Sequence, residues 1–325
     1  MNEVQFIERF RAEKKFLEAY ADFVSYKLTD AIISMLKIDA ANFFKIPIKF
    51  RLKGEDSLIQ KAFYRNKNYS DPYNEITDKI GGRIVVLLEE QANEVCGVIE
   101  KFEDFTFSKD RDFEIERAKH PELFNYKSHH YILRNKNEIS IGETIPEGTP
   151  VEIQIRTLLQ HAYSELTHDT IYKPNTAASP EVRRYVAKSM ALIEVTDQLF
   201  SQVSNSLKQS EHQFSKIIED CLKLLPGNIE IQTDIDLCNF ILDAYLPEVE
   251  LYNQNNLKKF VNEYNFILQK IKERSAYKYL FRQPVILFLY YLVLTKRKIA
   301  KARWPLYAKD IEQIFTDLGY SYDKS

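Results

Sequence analysis

The chain has 325 residues, of which 45% are hydrophobic, and this is enough apolar material for two sizeable cores. Its 45 lysines and arginines nearly balance 47 aspartates and glutamates, and the net charge of −2 excludes a global cationic field that would attract nucleic acid. Three widely spaced cysteines, with no CxxC pair, argue against a disulfide framework or a structural zinc site and indicate a reducing compartment.

Hydropathy gives no sign of a membrane protein. The longest apolar run, residues 285–294, is well below the roughly 20 residues that span a bilayer, so we interpret it as a buried helix. The first residues mix acidic and basic side chains and lack the apolar centre of a signal peptide. We therefore expect a cytoplasmic protein.

Strand and helix patterns alternate in the first half of the chain. In order, they predict one long or two short helices over 4–36, a strand over 46–53 with a basic face, a helix over 55–64, a turn at Gly81-Gly82, an apolar strand over 83–88, a helix over 89–102, a charged solvated loop over 106–122, and strands over 126–133 and 151–156. After Pro174 strand-like alternation nearly disappears. A long helix over 180–207 and several more helical segments are predicted there.

The stretch from Val151 to Lys173 joins a strand pattern directly to a helix pattern. Glu152, Gln154 and Arg156 alternate with aliphatic residues, so they share one face of the strand. Thr157 is a plausible N-cap for a helix that has Leu159, Ala162 and Leu166 on one stripe and His161, Glu165 and His168 on another. We expect the chemistry at this junction.

Three further segments carry residues that suit a phosphate-rich ligand. Arg51, Lys53, Ser57 and Lys61 place two cations on a strand, a hydroxyl at a helix start and a third cation one turn on, which suits a triphosphate. Asp78, Gly81 and Arg83 give D-x-x-G-x-R, and Tyr126, Lys127, Ser128 and His130 give Y-K-S-x-H. Each of the last two motifs is weak alone.

Taken in this order, the four segments resemble the synthetase domain of the RelA/SpoT family, the (p)ppGpp pyrophosphokinases. The resemblance covers about residues 44–173 and is sharpest in VEIQIRT and the following Q-H-A-Y-S-E-L-T-H-D-x-x-Y-K. It implies that Asp78 and Glu152 bind Mg²⁺ and that Glu152 accepts the proton of the attacking hydroxyl. Arg51 and Arg83 would flank the adenine of ATP, and its phosphates would be held by Lys53, Ser57 and Lys61.

For the acceptor, the resemblance implies that Tyr126 stacks on the base, with Lys127, Ser128 and His130 beside it. Gln154 and Arg156 would line the same cleft, and His161 would face the acceptor. Departures from the family pattern fall mainly here: Asn125 replaces a glycine, Lys127 an arginine and His129 an aliphatic residue. Tyr163 replaces a common tryptophan in the helix, which we interpret as a packing change.

An alternative metal site would use His161, Glu165 and His168 to bind zinc. Three residues on one straight helix cannot all converge on one ion, so pairing of Glu165 with a neighbouring histidine is the simpler interpretation. In the second half, Lys296, Arg297, Lys298, Lys301 and Arg303 precede Trp304, and this basic stretch is either a solvated helix end or a contact surface for nucleic acid or a protein partner.

We therefore expect an α+β, nucleotidyltransferase-like domain with a mixed sheet of about five strands at 46–176. Helices over 1–45 would pack on it, and an all-helical domain that regulates or binds partners would follow at 177–325. The residues before the first strand are too few for the family's hydrolase domain, so the resemblance implies a synthetase without it.

The first hypothesis is an Mg²⁺-dependent enzyme that transfers the β,γ-pyrophosphate of ATP to GTP or GDP. The second makes the 3′ end of tRNA the acceptor, as in toxic relatives of similar layout, and the third is a nucleotide-binding sensor without chemistry. The sequence leaves open the acceptor, the oligomeric state, any regulator or antitoxin, and the role of the helical half.

Overall fold

A computed structural model of the chain describes residues 1–65, 68–111, 128–167 and 179–323. It divides into two compact units, Met1–Gln202 and Val203–Ser325. The elements of the first unit are α1 (Glu3–Leu36), α2 (Ala40–Phe43), β1 (Lys49–Leu52), α3 (Glu55–Ile59) with a π turn (Gln60–Tyr64), α4 (Pro72–Glu75), β2 (Ile80–Val86), α5 (Glu89–Glu100), β3 (Phe105–Arg111), β4 (His129–Asn135), β5 (Ile139–Ser140), β6 (Thr144–Ile145), β7 (Pro150–Thr157), α6 (Leu158–Thr167) and the first part of α7 (Pro180–Leu224).

Five of these strands form a mixed sheet in the order β1-β2-β7-β4-β3. Strands β2 and β7 are parallel at its centre, and the other neighbours pair antiparallel. Strands β5 and β6 form a separate two-stranded hairpin. The predicted α+β architecture with about five strands is confirmed.

Helix α1 packs on the sheet as one unbroken element. Asn2 and Gln5 form a capping box at its start, and it ends where Lys37 adopts a left-handed conformation with φ 53°. Its buried face repeats every three or four residues from Phe6 to Ile32 and belongs to the same core as the inner face of the sheet.

Two features of the sheet correct the sequence predictions. Gly81 and Gly82 lie inside β2 rather than in a turn, and the ring of Phe50 lies over Gly82, where an added Cβ would be 2.3 Å from a ring carbon. Residues 106–111, predicted as part of a charged loop, belong to edge strand β3, where Phe105 is buried and Phe107 contacts the ring of Tyr131.

The strand-to-helix junction at Thr157 is capped from both directions. The backbone N–H of Gln160 donates to Thr157 Oγ1, and the backbone N–H of Thr157 donates to Gln160 Oε1, each at 3.2 Å. Thr157 is therefore the N-cap that the sequence predicted. The buried face of α6 is not its stripe of Leu159, Ala162 and Leu166. Gln160, Tyr163 and Thr167 are buried, whereas Leu166 is 56% exposed.

Helix α7 is longer than predicted, and the division between the units falls inside it. The sequence placed the boundary at 176/177, about where strand-like patterns end. The structure places it later because Asp197 and Ser201 of α7 hydrogen-bond to Thr157 and Glu90 of the sheet unit.

All regular secondary structure among the described residues of the second unit is helical. After α7 it contains α8 (Ile235–Ala244), α9 (Leu246–Glu250), α10 (Gln254–Glu263), α11 (Phe266–Ser275), a 3₁₀ turn (Tyr279–Arg282), α12 (Ile286–Thr295), α13 (Arg297–Ala302) and α14 (Ala308–Asp317). Helix α12 is the centre of its core, with Ile286 to Tyr290 all buried, as predicted for the apolar run. No described helix is long and apolar enough to span a bilayer.

Candidate active site

The polar residues of β7 lie in rows that cross the sheet. One row pairs Lys49 with Arg83, Arg83 with Gln154, and Gln154 with His130. Residues directly opposite one another on neighbouring strands share a face, so this row brings together motifs from four separate segments. The sequence predicted the face of β7, but the pairing of strands distant in the chain determines its neighbours.

The next row contains a gap between two charged residues. Arg51 pairs with Gly81, and Gly81 pairs with Glu152. Gly81 presents no side chain, and an added Cβ would lie 4.0 Å from Glu152 Oε2. The glycine thus leaves a shallow trough over β2, in which a ligand could approach the backbone between a guanidinium and a carboxylate.

Glu152 is held by its neighbours on the same face. Its Oε1 lies 3.4 Å from His130 Nδ1, and its Oε2 accepts a hydrogen bond of 3.2 Å from Gln154 Nε2. Arg156, which is 1% exposed, donates in turn to Gln154 Oε1. Burial raises the pKa of Glu152, but its hydrogen bond and electrostatic interaction with His130 and the charge of Lys61 outweigh that effect and hold this pKa below its ordinary value. Glu152 is therefore ionised at neutral pH.

Asp78 connects the two lysines of the predicted phosphate motif. Its Oδ2 lies 2.5 Å from Lys53 Nζ and 2.7 Å from Lys61 Nζ. Burial raises the pKa of Asp78, yet the two ammonium groups outweigh that effect and lower it below its ordinary value. Asp78 and Lys61 also influence the pKa of Glu152 electrostatically, in opposite directions, so the cluster lies near the trough.

Lys79, which the sequence analysis did not single out, supports the turn before β2. It is 5% exposed, and its Nζ donates to the carbonyl oxygens of Tyr73 at 2.6 Å and Ile76 at 3.2 Å. Burial lowers the pKa of Lys79 to about 8. No alternation or motif marks this lysine, because its role depends on carbonyls that the fold brings to it.

Arg83 meets α6 through Glu165, a residue of the β7–α6 motif to which no site role was assigned. Arg83 Nη1 lies 2.7 Å from Glu165 Oε1, and His161 Nδ1 lies 3.9 Å from the same oxygen. Burial and the charge of Arg156 lower the pKa of His161, so its imidazole is neutral at pH 7. The pairing of His161 with Glu165 agrees with the simpler interpretation of this stripe, whereas the zinc alternative stays untested because His168 lies outside the described residues.

The donor set fits a magnesium ion better than a softer metal. Asp78 Oδ1 is buried and has no hydrogen-bond partner among the described residues, so this carboxylate oxygen is available to a cation. Mg²⁺ typically takes one or two carboxylates together with substrate phosphates, and Asp78 and Glu152 supply that number of carboxylates. No group of three or more histidine, cysteine or acidic side chains in the described part of the chain could hold a metal without such a substrate.

Of the remaining candidate residues, three are described by the structure and two are not. Arg51 is exposed on β1, and Ser57 is partly buried in α3. Ser128 is 1% exposed at the start of β4. Tyr126 and Lys127 lie outside the described residues, so the stacking prediction stays a prediction.

The basic stretch of the second unit is largely used within that unit. Lys296 and Arg303 pair with Glu248 at 3.6 and 2.8 Å, and Glu248 is 7% exposed. The guanidinium of Arg297 lies 3.2 Å from the ring centroid of Tyr320. Lys301 donates to the Tyr322 carbonyl and lies 4.4 Å from the centre of that ring. These contacts favour a structural role over a contact surface for nucleic acid.

Comparison with known proteins identifies the sheet domain. Residues 50–177 match the model of the region found in RelA and SpoT proteins. This segment is a RelA/SpoT-family synthetase domain. It contains every candidate site residue discussed above for the first unit, from Arg51 to His161.

Individual relatives of this RelA/SpoT domain include proteins of Bacillus subtilis. GTP pyrophosphokinase YjbM of Bacillus subtilis (strain 168) is 26% identical over 176 residues, which cover 52% of this chain and 78% of that protein. The crystal structure of small alarmone synthetase 1 from B. subtilis has a TM-score of 0.49 and 19% identity, covering 62% of this chain and 97% of its own. The same synthetase bound to its product pppGpp also has a TM-score of 0.49, with 21% identity and coverage of 61% and 99%.

Proposed function

We propose that the chain is a pyrophosphokinase that transfers the β,γ-pyrophosphate of ATP to the 3′-hydroxyl of GTP or GDP. The observation that supports this most directly is the trough over Gly81, which has an ionised Glu152 on one side and Arg51 on the other. The family match and the similarity to a protein named GTP pyrophosphokinase support the same reaction class.

The charges around the trough suit a triphosphate donor. Lys53 and Lys61 already hold one carboxylate between them, so two ammonium groups are fixed before any nucleotide binds. Arg83 and Arg156 lie on the same sheet face. The net charge of the whole chain is −2, so this local concentration of cations is what would attract a polyanion.

In the proposed reaction, the 3′-oxygen of the acceptor attacks the β-phosphorus of ATP. A new O–P bond forms, the bond from the β-phosphorus to the oxygen bridging it to the α-phosphate breaks, and AMP leaves. The hydroxyl proton passes to Glu152, which is a competent base because it is ionised and its two oxygens are oriented by His130 and Gln154. Lys53 and Lys61 would stabilise charge on the transferred group.

Asp78 and Glu152 would hold Mg²⁺ when the metal and nucleotide bind together. The ion would neutralise phosphate charge and favour ionisation of the acceptor hydroxyl. Asp78 must then share its oxygens between the metal and the two lysines, and its second oxygen provides for that.

The acceptor distinguishes this proposal from its alternatives. Transfer to the 3′ end of tRNA would need phosphate contacts outside the trough, and each would weaken with added salt. The basic stretch at 296–303 was the best candidate for such contacts, but four of its five cations are engaged within their own unit. We therefore favour the free guanosine nucleotide and keep tRNA as one arm of the test.

The test uses ATP labelled at the γ-phosphate, Mg²⁺, and GTP, GDP or total tRNA in separate reactions. We expect label in a guanosine product together with an equal amount of AMP, and none in tRNA. Label in tRNA alone would establish the second reaction. If none of the three acceptors gains label, the guanosine assignment is overturned, whether or not AMP is released. ATP binding without any turnover would favour the sensor.

A further inference from the structure

Helix α7 reaches the sheet unit beside the ends of both central parallel strands. Thr157 Oγ1, at the end of β7, donates to Asp197 Oδ2 at 2.8 Å. Ser201 Oγ donates to Glu90 Oε2 at 2.6 Å, at the start of the helix that follows β2. The family model ends at residue 177, so both of these α7 residues lie beyond it.

The Asp197 contact is the more deeply buried of the two. Asp197 is 1% exposed and Thr157 is fully buried, with Gln160 and Arg156 almost equally buried beside it. A buried carboxyl group is costly unless it is hydrogen-bonded, and the Thr157 hydroxyl supplies one such hydrogen bond. The fold therefore places a buried carboxyl group at the strand-to-helix junction and hydrogen-bonds it to the residue that caps α6.

The direction of the Thr157 hydroxyl follows from what Asp197 can accept. The Thr157 hydroxyl has one hydrogen, which it donates to Asp197 Oδ2. The lone pairs of Oγ1 are then directed toward the Gln160 amide, which donates to it at 3.2 Å. Asp197 thus orients the cap that starts α6.

This junction controls both halves of the candidate site. On the strand side, Arg156 directly precedes Thr157 and donates to Gln154, which holds Glu152. On the helix side, the direction of α6 determines where His161 and Glu165 lie relative to Arg83. A small tilt at Thr157 would move residues on both sides.

We propose that Asp197 is a positioning residue for the transfer reaction, acting through the Thr157 cap on the strand β7 and helix α6 that carry the site. This inference rests on the proposed function for its kinetic consequences, but the contact itself can be tested without turnover. It also gives Asp197 a role in the reaction, whereas the sequence assigned its segment to a regulatory or partner-binding domain.

The test compares three variants of the full-length chain with the parent. Asp197→Ala removes the acceptor, and Asp197→Asn keeps an acceptor oxygen in the same shape. Ser201→Ala is the matched control, because it removes the other α7 hydrogen bond, which leads to a helix that carries no candidate site residue. Each variant is assayed for kcat and for the KM of ATP and of the acceptor, and its melting temperature is measured.

We expect Asp197→Ala to lower kcat by about 10- to 100-fold, the range for a misplaced catalytic group, with KM for ATP changed less than about threefold. Asp197→Asn should recover at least about half of the parental kcat, and Ser201→Ala should stay within about twofold of it. Equal losses in Asp197→Ala and Ser201→Ala, or a failure of Asp197→Asn to recover activity, would overturn the proposal.

Hydrogen exchange provides a readout that does not need turnover. Amides of residues 158–167 should exchange faster in Asp197→Ala than in the parent and in Ser201→Ala, because the first turn of α6 loses its oriented cap. Unchanged exchange would overturn the positioning role. If Asp197→Ala does not fold, Thr157→Val compared with Thr157→Ser gives the same contrast from the other side.

The two readouts separate two kinds of failure. A parent chain that produces no transfer product with any acceptor would contradict the proposed function, and the exchange comparison would still decide whether Asp197 holds the junction. A parent chain that is active while Asp197→Ala is equally active would leave the proposed function intact and remove Asp197 from it.

Discussion

Two groups of cations with similar composition have different environments in this protein. In the sheet unit, Lys53 and Lys61 meet Asp78 at the edge of a trough, and one oxygen of that carboxylate has no partner among the described residues. In the helical unit, Lys296 and Arg303 surround Glu248, which lies in a contact within its own unit. The first arrangement leaves capacity for a ligand and the second uses its charges to hold helices together. A run of basic residues therefore does not reveal its role until its partners are known.

The largest expected effect is on turnover, and it comes from a substitution in the trough of the sheet unit. Glu152→Gln should lower AMP release in the presence of acceptor by at least about 100-fold, as expected for loss of a general base, while equilibrium binding of ATP stays close to that of the parent. The side chain keeps its shape and its hydrogen-bonding partners, so the melting temperature should change little. Turnover within about twofold of the parent would remove Glu152 from the mechanism.

Asp78→Asn should affect both function and stability. It leaves Lys53 and Lys61 facing a neutral amide, and we expect a loss of at least about tenfold in Mg²⁺-dependent turnover. Removing one partner of a buried ion pair costs about 3–5 kcal/mol, which we reduce to about 1–2 kcal/mol because the side chains of Lys53 and Lys61 are 26% and 16% exposed.

The stability contribution of Asp78 should depend on pH in a definite direction. Its folded-state pKa lies below the ordinary value of 3.8, so its contribution is fully present above about pH 4 and is lost as the pH falls through the folded-state pKa. The parent should thus be more stable than Asp78→Asn at pH 7, and the difference between their free energies of unfolding should become smaller below pH 4. Chemical denaturation at several pH values measures this difference. A difference that grows on acidification would contradict the pairing of Asp78 with Lys53 and Lys61.

In the helical unit, Glu248→Ala should reduce stability without reducing nucleotide binding. We expect a loss of about 1–2 kcal/mol, since Glu248 is buried but its partners Lys296 and Arg303 are 37% and 42% exposed. Trp304 is the single tryptophan of the chain and directly follows Arg303, so its fluorescence reports unfolding of this unit. A lower denaturant midpoint by fluorescence with unchanged ATP binding is the expected result, and loss of ATP binding would refute the separation of roles.

The smallest effect is expected at Lys298, which is exposed on α13. Lys298→Glu should change stability by less than about 0.5 kcal/mol, as for most surface substitutions, and should leave guanosine-nucleotide labelling unchanged. Lys301→Glu is the comparison variant, because Lys301 contacts the Tyr322 carbonyl and ring and its loss should destabilise the unit. A strong fall in tRNA labelling with Lys298→Glu alone would instead restore the basic stretch as a binding surface.

Local patterns in the sequence determined much of the sheet domain. Alternation placed Glu152, Gln154 and Arg156 on one face of β7, and the cap at Thr157 and the apolar run at 285–294 were also predicted correctly. These features depend on residues within a few positions of one another, where the periods of strands and helices are visible. The ordered motifs were specific enough for the family resemblance, which the match to residues 50–177 bears out.

Only the tertiary structure decided features that join distant segments. The glycines at 81 and 82 resemble a turn in sequence, yet they lie in β2, where both pair with the neighbouring strands β1 and β7. The contact of Thr157 with Asp197 spans 40 residues, and no local period marks Asp197 among the polar residues of a long helix. The role of each such residue is fixed by burial and by a partner, and both arise only when separate segments pack together.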